Sequence, residues 1–460
     1  MTNGGSGVRV WCAASTAVNA ADCNSSYEAE LDRKSDTTVQ TNSEDFVKEE
    51  VSCITEARLS PDGTCIFTAG YDRKFSIYPI ASDVLEGSST QSLTPYAQFS
   101  SSDPIWAFAV NPYFDMNDSD TTTVLVSRRD QYVSLHNSLW DVTIDYEKQD
   151  QEGQIPYCKS PVNISTKLAS YKLVDRMTEA VTAPMSLAWS PDGAYFYAGH
   201  KNTISTFDLN DPDGPISYIR TIPSDRNKLV GGGYGFKGDI SALSLSPPAS
   251  TTNARVLAAG SRTRAIGIYD AVSSEETTHF SLPGTVNGRN SYDPHFDNAV
   301  GKGVTQLKWS PDGKYLYIAE RNSDALLIYD VRNFKMALGY CAGRQAFTKQ
   351  KLGFDIWTRM DEYSTGEFHE VWAGGVDGKL RVWRNPYLFE GAVEAEEVID
   401  VGGDPVSSVL VHPYGNAAVV GKGRREVGSE QEGKGVKRGG VTTPSYREWG
   451  RLDILGLGSY

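Results

Sequence analysis

Ser60-Pro61-Asp62-Gly63 recurs in this chain as Ser190-Pro191-Asp192-Gly193 and as Ser310-Pro311-Asp312-Gly313. Apolar residues alternate on both sides of each copy, and a strand-like segment that ends in an aromatic residue follows about 15 residues later. Proline presets φ at the second turn position, aspartate hydrogen-bonds its own backbone, and glycine accepts a left-handed conformation. The pattern therefore predicts three tight turns, each of which joins two β-strands.

The same unit of short strands recurs along most of the chain. Its seven copies begin near Val51, Pro104, Met185, Ile240, Val304, Phe354 and Pro405. Internal repetition of this kind is typical of WD-repeat β-propellers. We therefore predict an all-β fold, a single seven-bladed WD-repeat β-propeller that occupies residues 46–460.

The two ends of the chain differ from the repeats. Residues 1–45 are acidic and without periodicity, so we expect a mostly disordered N-terminal segment. A propeller needs its ends joined to avoid a bare edge, and we expect the last part of the first 50 residues to supply the ring-closing strand. Residues 421–443 are predicted to be a low-complexity loop inserted in the last blade, which displaces its third strand to 449–457.

Composition excludes several classes of protein. The 460 residues hold no run of 18 apolar residues, which argues against a membrane span, and the start of the chain lacks a secretory pattern. Six scattered cysteines without a CxxC pair indicate free thiols. The net charge is -14, but residues 1–50 contribute -5 and residues 386–405 contribute -6, so the remaining 390 residues carry only -3. Local basic patches, and a nucleic-acid partner, remain compatible with that balance.

No motif indicates catalysis. The six histidines form no metal-binding pair, and neither an HExxH helix nor a Gly-x-Ser-x-Gly elbow occurs. We therefore expect no metal, no cofactor and no enzymatic activity.

Basic residues recur at the predicted turn between the second and third strands of blades one to six. They are Arg73, Lys74, Arg128, Arg129, Lys201, Arg262, Arg264, Arg321 and Lys379. Equivalent turns lie on one face of a propeller, so these side chains are predicted to form a positive ring near the central channel that binds phosphate. The alternative is an ordinary solvated surface, because lysine and arginine are common in exposed turns.

Gly233-Tyr234-Gly235-Phe236 is similar to the core of an RNA-recognition strand, although the flanking residues of that motif are absent. We interpret the segment first as a flexible glycine-rich loop that enters blade four, with RNA contact as the alternative. If it contacts RNA, Tyr234 and Phe236 would stack on unpaired bases.

Several longer segments resemble one known family in their sequence and in their order. They are Ser127-Arg128-Arg129-Asp130, Trp140-Asp141, residues 185–193, residues 238–247, Gly260-Ser261-Arg262-Thr263-Arg264-Ala265-Ile266-Gly267-Ile268-Tyr269 and residues 324–332. Together they resemble the telomerase Cajal body protein family of WD-repeat proteins, including its fungal relatives. The resemblance covers about residues 51–421.

The resemblance implies a nuclear, non-catalytic RNA-binding propeller. Animal members of the family recognise a short box in small Cajal-body RNAs and in telomerase RNA, whereas yeast-like relatives are associated with pre-mRNA splicing. We accordingly expect a monomer that binds small nuclear RNA or its ribonucleoprotein particle, aids assembly or localisation of that particle, and also contacts proteins. It would be located in the nucleus, including nuclear bodies, with a cytoplasmic pool. The alternative function is a protein-only scaffold in a splicing or degradation complex.

Overall fold

The computed structural model describes most of the chain. The described residues are 9–17, 51–87, 89–144, 161–175, 178–224, 226, 235–248, 255–286, 289–291, 294–296, 299–358, 368–427, 437–438, 441–442 and 446–458. Seven sheets of antiparallel strands succeed one another along the chain, and three of them carry an additional outer strand in parallel. The predicted seven-bladed, all-β propeller is confirmed.

Each blade extends from an innermost strand outward, and its strands follow in that order. Blade one contains Ile54–Leu59, Cys65–Gly70, Lys74–Pro79, Ala97–Ser100 and the parallel strand Val162–Asn163. Blade two contains Ile105–Val110, Thr123–Arg128, Val133–Asn137 and Lys167–Tyr171. Blade three contains Ser186–Trp189, Tyr195–His200, Thr203–Asp208 and Ser217–Arg220. Blade four contains Ile240–Leu245, Val256–Ser261, Ala265–Asp270 and Glu276–Ser281.

Blade five contains Val304–Trp309, Tyr315–Glu320, Leu326–Asp330, Gly339–Cys341 and the parallel strand Gly391–Val393. Blade six contains Phe354–Trp357, Glu370–Gly374, Lys379–Arg384 and Glu397–Asp400. Blade seven contains Val406–Val411, Ala417–Val427, Tyr446–Gly458, Arg9–Ser15 and the parallel strand Gln91–Ser92. The described residues also form two small hairpins, Thr285–Val286 with Arg289–Asn290 and Lys437–Arg438 with Val441–Thr442, and the 3₁₀ turn Pro386–Leu388.

The Ser-Pro-Asp-Gly turns adopt one hydrogen-bonded form. In blade one the Ser60 hydroxyl donates to the Asp62 carboxylate at 2.5 Å and accepts the backbone N–H of Cys65 at 2.9 Å. The copies at Ser190 and Ser310 repeat both contacts at the same distances. Gly63 has a φ of 77°, and a Cβ there would lie 2.7 Å from the His412 ring, so only glycine fits against blade seven.

The core consists of seven apolar clusters, one between each pair of neighbouring blades. Between blades one and two, for example, Phe75 is fully buried and meets Phe108 edge-on, with ring centroids 5.0 Å apart. Every blade is therefore sandwiched between two others, so the innermost strands encircle a central channel whose cavity holds about 360 Å³.

Blade seven is assembled from both ends of the described chain. Arg9–Ser15 pairs antiparallel with Tyr446–Gly458, and the Ser15 hydroxyl donates to the Asp453 carboxylate at 2.6 Å. Asp453 is 1% exposed and also forms a 2.7 Å ion pair with the buried Lys422 ammonium. These contacts tie the outer strand to the interior of the blade.

Two predictions about the ends need correction. The ring-closing strand begins at Arg9 rather than in the last part of residues 1–50, because alternate side chains of Arg9–Ser15 pack toward blade one and toward blade six. Residues 421–427 are not loop but continue the strand Ala417–Val427, since Tyr446–Gly458 pairs with all of it. The rest of the predicted disordered segment, at 1–8 and 18–45, lies outside the described residues, and so does most of the loop at 428–443.

Glu56 carries a largely buried charge in the channel, with 14% of its side chain exposed. Its carboxylate lies 2.8 Å from the Lys351 ammonium and 2.8 Å from the Arg58 guanidinium. Burial opposes its ionisation, but Lys351 and Arg58 outweigh that effect and lower the pKa of Glu56 from 4.5 to about 2. The ionised carboxylate therefore stabilises the folded chain at every pH at which Glu56 of the unfolded chain is also ionised.

We expect Asp453→Asn to lower the free energy of unfolding by about 3–5 kcal/mol, because the change leaves the buried Lys422 ammonium without its counter-ion. The matched control is Arg332→Gln, which breaks a surface pair with Asp330 and should cost about 1 kcal/mol or less. Urea unfolding followed by far-UV circular dichroism measures both. Equal midpoints for the two variants would contradict the importance of the Asp453 pair.

We expect acid to remove the contribution of Glu56. Because its pKa is lowered on folding, the stabilisation is complete above about pH 4.5 and is lost as the pH falls toward 2. The free energy of unfolding should be higher for wild type than for Glu56→Gln at pH 6. At pH 3 this difference between the two proteins should be about 2 kcal/mol smaller. Urea titrations at both pH values test this, with the exposed Glu86→Gln as control. A difference that does not change with pH would refute the assignment.

Candidate nucleic-acid interface

The turns between second and third strands lie on the same face as the loops that lead into the innermost strands. Strand direction alternates within each blade, so these connections must share a face. Backbone hydrogen bonds join them directly, as in Arg129 N–H to Pro104 O, Arg262 N–H to Asp239 O, and Arg321 N–H to Gly303 O, at 2.9 to 3.0 Å. The basic turns predicted from the sequence therefore belong to one face.

Three of the predicted arginines converge where the channel opens on this face. Arg73, Arg262 and Arg321 line a cavity of about 400 Å³. The cavity, here called the channel mouth, is also lined by four side chains that were not predicted: Tyr71, Trp106, Lys351 and Arg425. Five basic side chains, two exposed aromatic side chains and the acidic Glu56 thus line one opening, together with the buried Phe108.

The charges at the channel mouth are incompletely balanced. Arg73 donates to the Ser102 carbonyl and Arg321 donates to the Lys349 carbonyl. Among the described residues, neither guanidinium has a carboxylate within 4.0 Å. Burial lowers the pKa of Arg321, and the like charge of the neighbouring Arg262 lowers it further. An anion placed in the mouth would relieve that repulsion.

The other cations of the channel mouth are partly neutralised. Lys351 pairs with Glu56, and Arg425 pairs with Glu448 at 2.8 Å. The Arg425 guanidinium also lies over the Tyr71 ring, 5.1 Å from its centroid. Arg262 lies 4.0 Å from the Asp239 carboxylate, and both side chains are more than a third exposed. Arg73 and Arg321 are therefore the strongest anion-binding candidates.

A second basic cavity adjoins the channel mouth. It is lined by residues of blades two to four, has a volume of about 1220 Å³ and is here called the lateral groove. Its basic residues are Lys201, Arg220, Arg226, Lys237 and Arg262, and its acidic residues are Asp175 and Asp239. Because Arg262 lines both cavities, the lateral groove and the channel mouth adjoin each other at this side chain.

Three predicted contact residues are buried and cannot reach a ligand at this face. Arg128 is 6% exposed; it donates to the Ser134 hydroxyl at 2.8 Å and lies over the Phe99 ring. Arg264 forms a two-armed ion pair with Glu320 of blade five, at 2.7 and 2.8 Å. Phe236 is fully buried in the cluster between blades three and four. These assignments were wrong because the side chains point between blades, where each stabilises packing.

The other predicted residues that the structure describes do not line the channel mouth. Arg129 is exposed but forms a 3.1 Å ion pair with Asp130, and Lys201 is exposed in the lateral groove. Lys74 and Lys379 are half-buried at the starts of their strands. Tyr234 lies outside the described residues.

Sequence reasoning missed Trp106, although a signal for it exists. When the innermost strands are aligned, the residue after the first Ile or Val is Thr55, Trp106, Ser241, Thr305 or Ser407. A bulky aromatic side chain replaces a small hydroxyl side chain in blade two alone of these five blades. Lys351 and Arg425 carry no such signal, because they belong to a loop and to the strand extension that was predicted as loop.

The described residues contain no group of three His, Cys, Asp or Glu side chains that could hold a metal ion. Within the same residues, no helix is long and apolar enough to cross a membrane. Among the described residues, Cys12, Cys53, Cys65 and Cys341 form no disulfide, and burial raises the pKa of Cys53 and of Cys65 to about 12.

Comparison with known proteins supports the WD-repeat assignment. The model of the WD domain, G-beta repeat, matches residues 41–78. The chain is 26% identical over 340 residues to guanine nucleotide-binding protein negative regulator 1 of Schizosaccharomyces pombe. The aligned region covers 73% of this chain and 71% of that protein. The chain is 24% identical over 378 residues to telomerase Cajal body protein 1 of Rattus norvegicus, covering 81% of this chain and 58% of that protein.

A third relative is protein SWT21 of Zygosaccharomyces rouxii, 22% identical over 360 residues, with 77% of this chain and 72% of that protein covered. The names of these relatives indicate no catalytic family. The chain spans little more than half the length of the rat protein. The resemblance found in the sequence is therefore confirmed: the chain is a WD-repeat β-propeller related to the telomerase Cajal body protein family and to its fungal relatives.

Proposed function

We propose that this propeller is a non-catalytic RNA-binding protein that holds a small nuclear RNA, or its ribonucleoprotein particle, on the face with the channel mouth. The observation that carries the proposal is the pair Arg73 and Arg321, which line the opening and which, among the described residues, have no carboxylate within 4.0 Å of their guanidinium groups. Phosphate is the ligand that such groups bind best, since arginine presents a planar fork of donors.

The shape of the surface supports a strand rather than an isolated anion. The channel mouth and the lateral groove share Arg262, and together they offer cations over a surface formed by several blades. Exposed aromatic side chains beside cations are the usual combination in proteins that bind single-stranded nucleic acid. Because a matched relative is named telomerase Cajal body protein 1, we further propose a nuclear protein that aids assembly or localisation of such a particle, in telomerase or in pre-mRNA splicing.

A protein-only scaffold is the second candidate, and one observation favours it. The turns on the opposite face of blades six and seven carry four exposed apolar side chains, Phe368, Leu388, Phe389 and Tyr414. A face of this kind suits a protein partner. Salt dependence separates the two functions, because phosphate contacts give a linear fall of log affinity with log salt and apolar contacts do not.

We expect the double variant Arg73→Glu/Arg321→Glu to bind single-stranded RNA much more weakly than wild type does. Loss of two phosphate contacts should also reduce the slope of log affinity against log salt concentration by about 0.7 for each arginine. Fluorescence anisotropy with a labelled small nuclear RNA, measured over a range of salt concentrations, gives both quantities.

The control is Arg332→Glu, which reverses an exposed charge on the opposite face and should leave affinity and slope unchanged. Equal affinities and slopes for all three proteins would contradict RNA binding at the channel mouth. Capture of protein partners without RNA from nuclear extract would favour the scaffold.

A further inference from the structure

Five innermost strands contain an extra residue at the same place. The register between first and second strands shifts after Ile54, Ile105, Ile240, Val304 and Val406. The extra residues are Thr55, Trp106, Ser241, Thr305 and Ser407. A bulge of this kind re-aims a side chain, and here each one lies where an innermost strand enters the channel.

Four of these positions hold a small side chain whose hydroxyl donates a hydrogen bond to the backbone of the propeller. The hydroxyl of Thr55 donates to Ala69 O at 2.8 Å, and that of Ser241 donates to Val304 O at 2.6 Å. The hydroxyls of Thr305 and Ser407 donate to Ala319 O at 3.2 Å and to Gly421 O at 3.1 Å. In these four blades the side chain at the bulge therefore stabilises the fold through a hydrogen bond.

Trp106, at the same position in blade two, donates no such hydrogen bond to a described residue. Five other tryptophans donate their indole N–H within the protein, at 2.9 to 3.2 Å; they are Trp189, Trp309, Trp357, Trp372 and Trp383. The indole N–H of Trp106 donates to no described residue, and 36% of the side chain is exposed in the channel mouth. An indole with a free edge and an open face is suited to a ligand that stacks and accepts a hydrogen bond.

Trp106 and Tyr71 are the two exposed aromatic residues that line the channel mouth, and only the Tyr71 ring has a guanidinium group over its face. The Tyr71 ring already carries the Arg425 guanidinium. The cavity of about 400 Å³ has the size of a small-molecule pocket, which admits one nucleobase and excludes a duplex. Arg73 and Arg321 line the same cavity, so the phosphates beside a stacked base would meet guanidinium groups.

We propose that Trp106 is a base-stacking residue: one unpaired nucleobase enters the channel mouth and stacks on its indole, while the strand continues past Arg262 into the lateral groove. The inference rests on the proposed RNA-binding function and adds a preference for single-stranded RNA with an extruded base. The stacking contact is tolerant of base identity, because every base has a π-face.

The test uses the full chain and two labelled probes, a single-stranded oligouridine of about 12 nucleotides and a duplex RNA of the same length. Trp106→Ala should weaken binding of the single strand roughly 5- to 150-fold, since stacking is worth about that factor per base. Binding of the duplex, and the salt slope, should not change. Trp106→Phe keeps a ring and should retain most of the affinity.

Tryptophan fluorescence gives a second measurement that does not depend on a destabilised variant. Oligouridine should quench the emission of wild type more than that of Trp106→Phe. Equal single-strand affinities for wild type and Trp106→Ala, with equal quenching of wild type and Trp106→Phe, would overturn the stacking assignment while leaving RNA binding intact. Absence of salt-dependent binding to either probe would overturn the proposed function itself.

Discussion

Closure of the ring is the constraint on which the rest of the structure depends. Each blade buries both of its faces against neighbours, so a missing neighbour would expose an apolar cluster and an unpaired strand edge. Arg9–Ser15 supplies the outer strand of blade seven, and Asp453 joins it to Lys422 in the interior of that blade. The channel mouth exists because this closure holds the innermost strands in a circle.

The charged residues of the propeller divide into two groups by the direction of their side chains. Arg264 and Glu320 join blades four and five, and Arg128 of blade two packs on Phe99 of blade one. Arg73 and Arg321 instead project from the turns into the opening. The same type of residue in nearly the same turn therefore packs between blades in one place and lines the channel mouth in another, where we propose that it binds phosphate.

Local turn chemistry made the fold predictable, whereas side-chain direction did not follow from sequence spacing. The Ser-Pro-Asp-Gly turns and alternating strands identified all seven blades, because each turn satisfies its own hydrogen bonds. Arg128 was misassigned because it ends a strand and points between sheets, which spacing within a turn does not reveal. Trp106 was missed because a bulge re-aims it, and a bulge is set by pairing with the neighbouring strand.

The most direct test of RNA binding at the channel mouth is to identify the peptides that crosslink to bound RNA. Ultraviolet irradiation of the full chain with small nuclear RNA, followed by protease digestion and mass spectrometry, locates the contacts on the surface. We expect crosslinks in the peptides that contain Tyr71 and Trp106, together with those that line the lateral groove. Crosslinks confined to the opposite face, around Phe368 and Tyr414, would contradict it.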